Sequence, residues 1–329
     1  MKKQVTKVLA AMMAAGMCLT GCSGQAADAA NAAPAQTEAV TEAETSAAET
    51  EATTEAATEA AAEKAEDAAI LVVSFGTSFN DSRDITIGAV EEAIAKAHPE
   101  YEVRRAFTSQ IIIDILKERD GLEIDNVTQA LDRAVADGIK TLVVQPTHLM
   151  NGLEYDDLVA EVKLYEEDFD KVVVGDPLLN SDEDFAAVLE TITAETAQYD
   201  DGETAIVFMG HGTHAESNAV YAVLQEKLAA AGYENYYIGT VEAAPTLEDV
   251  MAAMNEHGGY KKAVLAPLMV VAGDHANNDM AGDEEDSWKT AMTEAGYETE
   301  CLIQGLGQNK GIQDIYVAHV DAALEKLAE

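Results

Sequence analysis

The sequence predicts an α/β fold of two doubly wound halves, each a parallel sheet covered by helices. Three observations favour this fold. From residue 68 onward, apolar runs rich in β-branched residues alternate with stretches of helical periodicity. The apolar runs are continuous, which is typical of parallel strands buried on both faces. The pattern of the first half then returns in the second, and 329 residues are enough for two such halves.

The chain begins with a segment typical of an export signal. Lysines lie among the first seven residues, and an apolar run from Val8 to Leu19 follows. This run is shorter than the roughly 20 residues that a bilayer span needs, and the basic-then-apolar order indicates export. The segment ends in Leu-Thr-Gly-Cys, which resembles a bacterial lipobox. Residues 1–22 are therefore predicted to be a lipoprotein signal, with Cys22 lipidated and the protein anchored at the extracytoplasmic face of a membrane.

Residues 23–67 are predicted to be a disordered tether. They consist mainly of Ala, Glu and Thr and include no Leu, Ile or aromatic residue. Such a segment has too little apolar surface to form a core.

The composition of the whole chain excludes several classes of function. Acidic residues outnumber basic ones by 61 to 20, giving a net charge of −41. This argues against nucleic-acid binding, which needs a basic face. Three cysteines are too few for a disulfide framework or a thiolate zinc cluster. Any bound metal must therefore use imidazole and carboxylate ligands.

Eight strands are expected in the remainder, four in residues 68–199 and four in residues 200–329. They are predicted at Ala69–Phe75, Tyr101–Phe107, Lys140–Gln145, Lys171–Gly175, Thr204–Met209, Asn235–Thr240, Lys261–Pro267 and Thr299–Gln304. Helical patterns between them include Ile85–His98, Asp125–Ala136, Tyr155–Glu166 and Ser217–Ala231. A further helical stretch around Ile111–Glu118 occurs only in the first half.

An internal repeat relates the two halves. Ile70–Thr77 aligns with Ile206–Thr213, Tyr101–Thr108 with Tyr233–Thr240, and Gly138–Gly152 with Gly259–Gly273. The offset shrinks from 136 to 121 residues along the chain, because the first half carries the extra helical stretch. Three matches in the same order predict a duplication.

The repeat also indicates which polar residues could form a site. Ligands of open α/β sheets bind at the carboxyl ends of the strands. In the second half, three such ends are followed by His211, Glu242 and His275. Two imidazoles and a carboxylate are suitable ligands for a divalent metal.

The equivalent positions of the first half differ in kind. They are Phe75, Gln110 and Glu154. Two of the three are uncharged, which is expected if this half contacts an organic ligand and the second half holds the metal.

Each candidate has a structural alternative. A histidine after a strand is often only a turn residue, and Glu242 also suits the first turn of a helix beginning near Pro245. The acids around His275 are equally compatible with a solvated loop. These acids are Asp274, Asp279 and Asp283. Among the other histidines, His148 and His214 stay open as cleft residues, whereas His98, His257 and His319 are expected on the surface of helical stretches.

Several segments together resemble the anaerobic cobalt chelatases, the sirohydrochlorin cobaltochelatases of cobalamin biosynthesis. They are LVVSFGTS (71–78), RAFTSQ (105–110), FMGHGT (208–213), GTVE (239–242) and PLMVVAGDHANNDMAGD (267–283). The resemblance covers essentially all of residues 68–329. It implies a class II, ferrochelatase-like chelatase of two flavodoxin-like halves.

The resemblance also implies roles for individual residues. The two active-site histidines of the family fall on His211 and His275, its metal-binding glutamate falls on Glu242, and a cleft glutamate that handles the substrate falls on Glu154. The opposite wall is expected to bind the macrocycle through Ser74, Phe75, Gly76, Thr77, Ser78 and Gln110. No ATP and no cofactor beyond the substrate metal are implied.

The expected reaction is insertion of Co²⁺ into sirohydrochlorin or a related tetrapyrrole. Fe²⁺ and Ni²⁺ remain open because the same ligands suit them. A tethered tetrapyrrole- or metal-binding protein without turnover is the main alternative, and a periplasmic binding protein is a third. A homo-oligomer is neither predicted nor excluded.

Overall fold

The structure, a computed structural model, describes residues 65–328. The proposed signal with Cys22 and most of the proposed tether therefore lie outside the described residues. Residues 65–67 lie against the fold, since the carbonyl of Asp67 accepts hydrogen bonds from the amides of Lys140 and Thr141 at 2.7 and 3.0 Å. Within residues 65–328, no helix has both the length and the hydropathy of a membrane span.

Two four-stranded parallel sheets form the framework, as predicted. The first has the order β2-β1-β3-β4 and the second the equivalent order β6-β5-β7-β8. The strands are β1 (Ala68–Ser74), β2 (Glu102–Phe107), β3 (Thr141–Pro146), β4 (Lys171–Val174), β5 (Thr204–Gly210), β6 (Tyr236–Thr240), β7 (Lys262–Pro267) and β8 (Glu298–Cys301). Each lies within a few residues of its prediction, and β8 is the most shortened.

Ten α-helices cover the sheets in the described part of the chain. They are α1 (Asn80–Ile85), α2 (Ile87–Ala97), α3 (Gln110–Asp120), α4 (Val127–Ala136), α5 (Leu153–Lys163), α6 (Asp182–Thr196), α7 (Ala219–Ala230), α8 (Leu247–His257), α9 (Trp288–Glu294) and α10 (Lys310–Ala328). The extra helical stretch of the first half is α3, which precedes α4 in the connection from β2 to β3. The equivalent connection from β6 to β7 holds α8 alone.

Because side chains alternate along a strand, the two faces of each sheet belong to two different cores. On β1, Leu71 and Val73 pack with α4 and α5, whereas Ile70 and Val72 face a core that both halves share. On β5, Val207 belongs to a separate core with α8 and α9. The other face of β5 joins the shared core through Ile206 and Phe208.

The last helix of each half crosses to the other half. Helix α10 follows β8 but packs on α2, β3 and β4, and helix α6 follows β4 but packs on α7. The hydroxyl of Thr196, at the end of α6, donates a hydrogen bond to the Tyr236 hydroxyl on β6 at 3.0 Å. Helices α2, α10, α6 and α7 therefore form one layer that both sheets share.

The expectation that His98 and His319 lie on the surface is wrong, because both are buried. His319 lies on α10 within the shared layer, where Nδ1 contacts the Asp176 carbonyl and Nε2 contacts a carboxylate oxygen of Asp184, both at 3.0 Å. Only His257, of the three, is exposed.

Candidate active site

The strand ends of both sheets enclose a cavity of about 520 Å³. Its walls come from the segments that follow β1, β3, β5 and β7, as the rule for open α/β sheets predicts. Much of the lining is apolar. The apolar residues include Phe75, Ile112, Leu149, Met150, Leu153, Met269, Val270 and Val271. Such a lining with a few polar groups is typical of a site for a large organic ligand.

The structure brings His211 and His275 together in this cavity. Their ring centres lie 4.8 Å apart, with the ring planes at 82°. Imidazoles bound through nitrogen to one ion, at about 2.1 Å in the case of zinc, have centres about 5 Å apart. The spacing therefore suits two ligands of a single metal ion.

Hydrogen bonds fix which nitrogen of each ring is free. Nδ1 of His211 lies 2.7 Å from the Gly212 carbonyl, which can only accept, so this nitrogen carries the proton. Nδ1 of His275 lies 2.7 Å from the Asp279 carboxylate across a short π-helical turn, Ala276–Met280. Such a carboxylate partner is a common means of orienting a metal-binding histidine. In both rings, Nε2 is left for a ligand.

The backbone around His211 depends on Gly212. This residue has a φ of +85°, and a Cβ there would lie 2.8 Å from Thr240 and 2.9 Å from the amide of Ala243. The hydroxyl of Tyr221 accepts a hydrogen bond from the Gly212 amide at 3.2 Å. Only glycine fits this turn, which brings the loop after β5 against the loop after β6.

Glu242 lies beside His211 through its backbone. Its amide donates to the His211 carbonyl at 2.8 Å, but its side chain is exposed and is not part of the cavity wall. Within residues 65–328, no three His, Cys, Asp or Glu side chains are placed to hold one ion. The structure thus assembles two of the three predicted ligands, and the role of Glu242 stays a prediction.

Six of the seven predicted substrate-binding residues line the cavity. They are Ser74, Phe75, Gly76, Thr77, Ser78 and Glu154. Ser74 is buried and accepts a hydrogen bond from the Thr147 hydroxyl at 2.7 Å, whereas the Phe75 ring is half-exposed at the strand end. Gln110 lies in an adjoining pocket of about 350 Å³, which also contains Phe75 and Glu154.

Glu154 is in the first turn of α5, on the wall that the first half contributes. Partial burial raises the pKa of this carboxyl, and the neighbouring carboxylate of Asp157 adds to the effect. Oε2 of Glu154 is 3.7 Å from Nε2 of His148, an imidazole that also lines the cavity. His214, the other histidine left open, is exposed and is not part of the wall.

Sequence reasoning missed two kinds of residue. One is the apolar part of the cavity wall from Met269 to Val271. The apolar run directly after β7 could have predicted it. The other is Asp279, which the sequence left as part of a solvated loop. Its spacing of four residues from His275 was the available signal, because one helical turn brings such residues together.

Comparisons with known proteins identify relatives over nearly all of the described chain. The model of the family "Cobalt chelatase (CbiK)" matches residues 68–325. The sirohydrochlorin cobaltochelatase of Salmonella typhimurium is 38% identical over 261 residues, which are 79% of this chain and 98% of that protein. The sirohydrochlorin cobaltochelatase CbiKC of Nitratidesulfovibrio vulgaris is 31% identical, covering 78% of this chain and 91% of that protein.

Solved structures share the fold at lower identity. SirB from Bacillus subtilis with Fe³⁺ has a TM-score of 0.53 and 14% identity, over 80% of this chain and 98% of that one. The sirohydrochlorin chelatase SirB of Bacillus subtilis subspecies spizizenii in complex with cobalt has a TM-score of 0.50 and 14% identity, over 79% and 96%. These two likenesses concern the fold.

Proposed function

The chain belongs to the cobalt chelatase (CbiK) family, and we propose on this basis that it inserts Co²⁺ into sirohydrochlorin. The observation that carries the proposal is the pair His211 and His275, with ring centres 4.8 Å apart in an apolar cavity at the strand ends. An imidazole pair supplies metal ligands, and the apolar walls accommodate a macrocycle. Both substrates then meet in one place.

The metal is bound on the wall of the second half. Nε2 of His211 and Nε2 of His275 are its first two ligands, because Nδ1 of each ring is already hydrogen-bonded. The Glu242 carboxylate is the third ligand in this proposal. The support is that its amide donates a hydrogen bond to the His211 carbonyl, which places the backbone of Glu242 next to that of His211, and that its side chain is exposed. Fe²⁺ and Ni²⁺ suit the same donor set.

The macrocycle is bound by the wall of the first half. Phe75 and Leu153 expose large apolar surfaces there, 47% and 63% of each residue, against which a flat ring can pack. Glu154 and the polar residues between Ser74 and Ser78 supply hydrogen-bonding groups on the same wall.

Insertion exchanges ligands and releases two protons. As the pyrrole nitrogens replace the imidazoles around Co²⁺, two N–H protons leave the macrocycle. The imidazoles that lose the metal regain a free nitrogen and can accept these protons, since histidine is the usual base at neutral pH. No ATP and no resident cofactor are required in this scheme.

The test is an insertion assay with matched binding titrations. The wild type should accelerate formation of cobalt-sirohydrochlorin above the spontaneous rate. His211→Ala and His275→Ala should each lose at least 100-fold of this rate while keeping the circular dichroism of the wild type. His257→Ala is the control, because His257 is exposed at the end of α8.

Substitutions on the two walls should affect the binding of the two substrates differently. Glu242→Gln should weaken Co²⁺ binding more than macrocycle binding, and Glu154→Ala should do the reverse. Wild-type Co²⁺ affinity in both histidine variants would remove the proposed metal site. A protein that binds the macrocycle tightly but never accelerates insertion would be a carrier instead.

We also propose that the protein is a lipoprotein anchored through Cys22. The support is the basic and apolar leader that ends in Leu-Thr-Gly-Cys. Cells fed a labelled fatty acid should incorporate it into the wild type and not into Cys22→Ala. Unlabelled wild-type protein with its leader still attached would contradict the anchor.

A further inference from the structure

A second pocket lies beside the cavity and has no role in the scheme above. It has a volume of about 470 Å³ and shares Ser78 and Phe79 with the cavity wall. Its other walls come from both halves, which are in direct contact here, since the amide of Ala272 donates a hydrogen bond to Oγ of Ser82 at 3.1 Å. A group that extends from the cavity past Ser78 therefore enters this pocket.

This pocket contains the one basic side chain that a ligand of the cavity would meet. Of the lysines and arginines within residues 65–328, only Arg119 is part of the walls of the cavity and its two adjoining pockets. The pocket that contains Gln110 has three carboxylates instead, those of Glu154, Asp157 and Glu161. An anionic group is repelled there, so the pocket of Arg119 is the place that suits it.

The guanidinium of Arg119 is fixed on one side and free on the other. Nε donates a hydrogen bond to Oδ1 of Asp120 at 2.9 Å, and Nη2 donates to Oδ2 of Asp120 and to the Ser78 carbonyl, both at 2.6 Å. Oδ1 of Asn80 accepts from Nη2 at 2.9 Å. Within residues 65–328, Nη1 makes no hydrogen bond, and the side chain is 47% exposed. The N–H groups of Nη1 are therefore available to a ligand.

The chemistry of the pocket suits a carboxylate on a short apolar arm. Arg119 supplies a positive charge, and its hydrogen bonds to a carboxylate are stronger than those between neutral groups. Ile85 and Ile303 expose apolar surface in the same wall, on which methylene groups can pack. Asp81 is the one carboxylate of this wall, and its charge weakens the attraction for an anion without removing the hydrogen bond.

Sirohydrochlorin has acetate and propionate arms around its rim, each ending in a carboxylate. We propose that one of these arms extends past Ser78 into the pocket and that its carboxylate accepts a hydrogen bond from Nη1 of Arg119. This inference rests on the proposed function. Arg119 lies on α3, the helix that the second half lacks. The extra helix thus supplies the cation that selects a macrocycle with an acidic rim.

The experiment compares sirohydrochlorin with its methyl ester, which has the same ring and uncharged arms. Absorption titrations in one detergent-containing buffer should show that Arg119→Gln binds sirohydrochlorin about tenfold more weakly than the wild type does, the loss expected for one charge-assisted hydrogen bond. Affinity for the ester and for Co²⁺ alone should stay within about twofold. Arg119→Lys should recover part of the loss, because it keeps the charge.

Arg133→Gln is the matched control. Nε and Nη2 of Arg133 donate hydrogen bonds to the Asp125 carboxylate at 2.6 and 2.9 Å, as the same atoms of Arg119 do to Asp120. Arg133 is also exposed, but it is not part of the walls of the cavity or of either pocket. This variant should bind sirohydrochlorin and its ester as the wild type does.

The outcomes separate this inference from its alternatives. An equal loss for the acid and the ester would mean that Arg119 only holds Ser78 in place, and an unchanged affinity for the acid would mean that no arm binds there. Either result overturns the inference. Should Arg119→Gln fail to fold, Asp81→Asn tests the same pocket: it should bind the acid about two- to fivefold more tightly, and no gain would overturn the inference.

The same titrations distinguish this inference from the proposed function, because they measure binding without insertion. A protein that loses affinity for the acid alone in Arg119→Gln, but whose wild type never inserts cobalt, supports the carboxylate site and contradicts the proposed function. In a wild type that does insert cobalt, Arg119→Gln should raise the KM for sirohydrochlorin and leave kcat within about twofold. A fall in kcat at unchanged KM would overturn the inference.

Discussion

At the scale of single residues, the histidines show what the sequence can and cannot predict. His211 and His275 were predictable because parallel strands end at one edge of a sheet, so residues far apart in sequence converge there. His319 was not predictable in this way. It lies on α10, which contacts α2, α6, β3 and β4, so several faces of this helix are buried. Helical periodicity then does not tell which polar residue is inside.

Replacing His319 should therefore lower the stability of the protein. Its two ring nitrogens contact the Asp176 carbonyl and the Asp184 carboxylate, and both side chains of the His319–Asp184 pair are about nine-tenths buried. His319→Ala leaves Oδ1 of that carboxylate without its partner, while Oδ2 still accepts from the amides of Asn180 and Ser181. The free energy of unfolding should fall by about 2–4 kcal/mol. Urea denaturation measures the loss. The exposed His257→Ala serves as control, and equal stabilities of the two variants would contradict the contact.

His148 should make stability depend on pH. Its pKa in the folded protein is about 4, against about 6.5 in an unfolded chain. Between these values the unfolded chain binds the proton and the folded protein does not, so acid favours unfolding. From pH 7 to pH 5 the wild type should lose about 2 kcal/mol that His148→Phe does not lose. The check is urea denaturation of both proteins at the two pH values; parallel losses would be inconsistent with a buried neutral imidazole.

At the scale of elements, the strands were the most predictable part. Buried parallel strands are continuous apolar runs, and all eight lie within a few residues of their predicted positions. Turns were less predictable because their geometry depends on contacts between loops. The turn at Gly212 is set by such a contact, with the loop after β6. The π-helical turn that joins His275 to Asp279 is instead closed by a contact within itself.

Substitutions at two glycines of the second half should distinguish the effect of backbone strain from the effect of steric contact. Gly212 and Gly232 have similar φ values, +85° and +91°, but a Cβ at Gly232 meets no atom within 4 Å. Gly232→Ala should lose about 1 kcal/mol of stability through strain alone. Gly212→Ala should lose more, and its Co²⁺ affinity should fall at least tenfold because the loop carrying His211 is displaced. Calorimetric titration of Co²⁺ into both variants tests this, and equal affinities would refute it.

At the scale of the whole molecule, the shared helical layer joins the two halves. The sequence predicted the two halves and their repeat, but periodicity carries no information about which sheet a helix covers. The crossing of α6 and α10 follows from the shared core, which includes residues of both sheets such as Ile70 and Ile206. Neither half has a complete core by itself.

The two halves should consequently unfold together. The single tryptophan, Trp288, lies in the second half, so its fluorescence reports that half, while far-ultraviolet circular dichroism reports both. We expect one urea transition with the same midpoint by both methods. A chain of residues 200–329 alone should show no cooperative transition, because α10 would have no first sheet to cover. Two separate midpoints would show that the halves are independent.

The crossed helices also bear on how such a molecule could have originated. Each half packs its last helix on the other half, and the two halves have equivalent sheets. This is the geometry of a domain-swapped dimer whose two copies are joined into one polypeptide. In a separate symmetric dimer, any ligand residue would occur twice in the cleft. Once the copies are joined, each can change alone, and Phe75 and Glu154 now stand at the positions equivalent to His211 and His275. Fusion thus removes the symmetry that would otherwise force both walls to bind the same substrate.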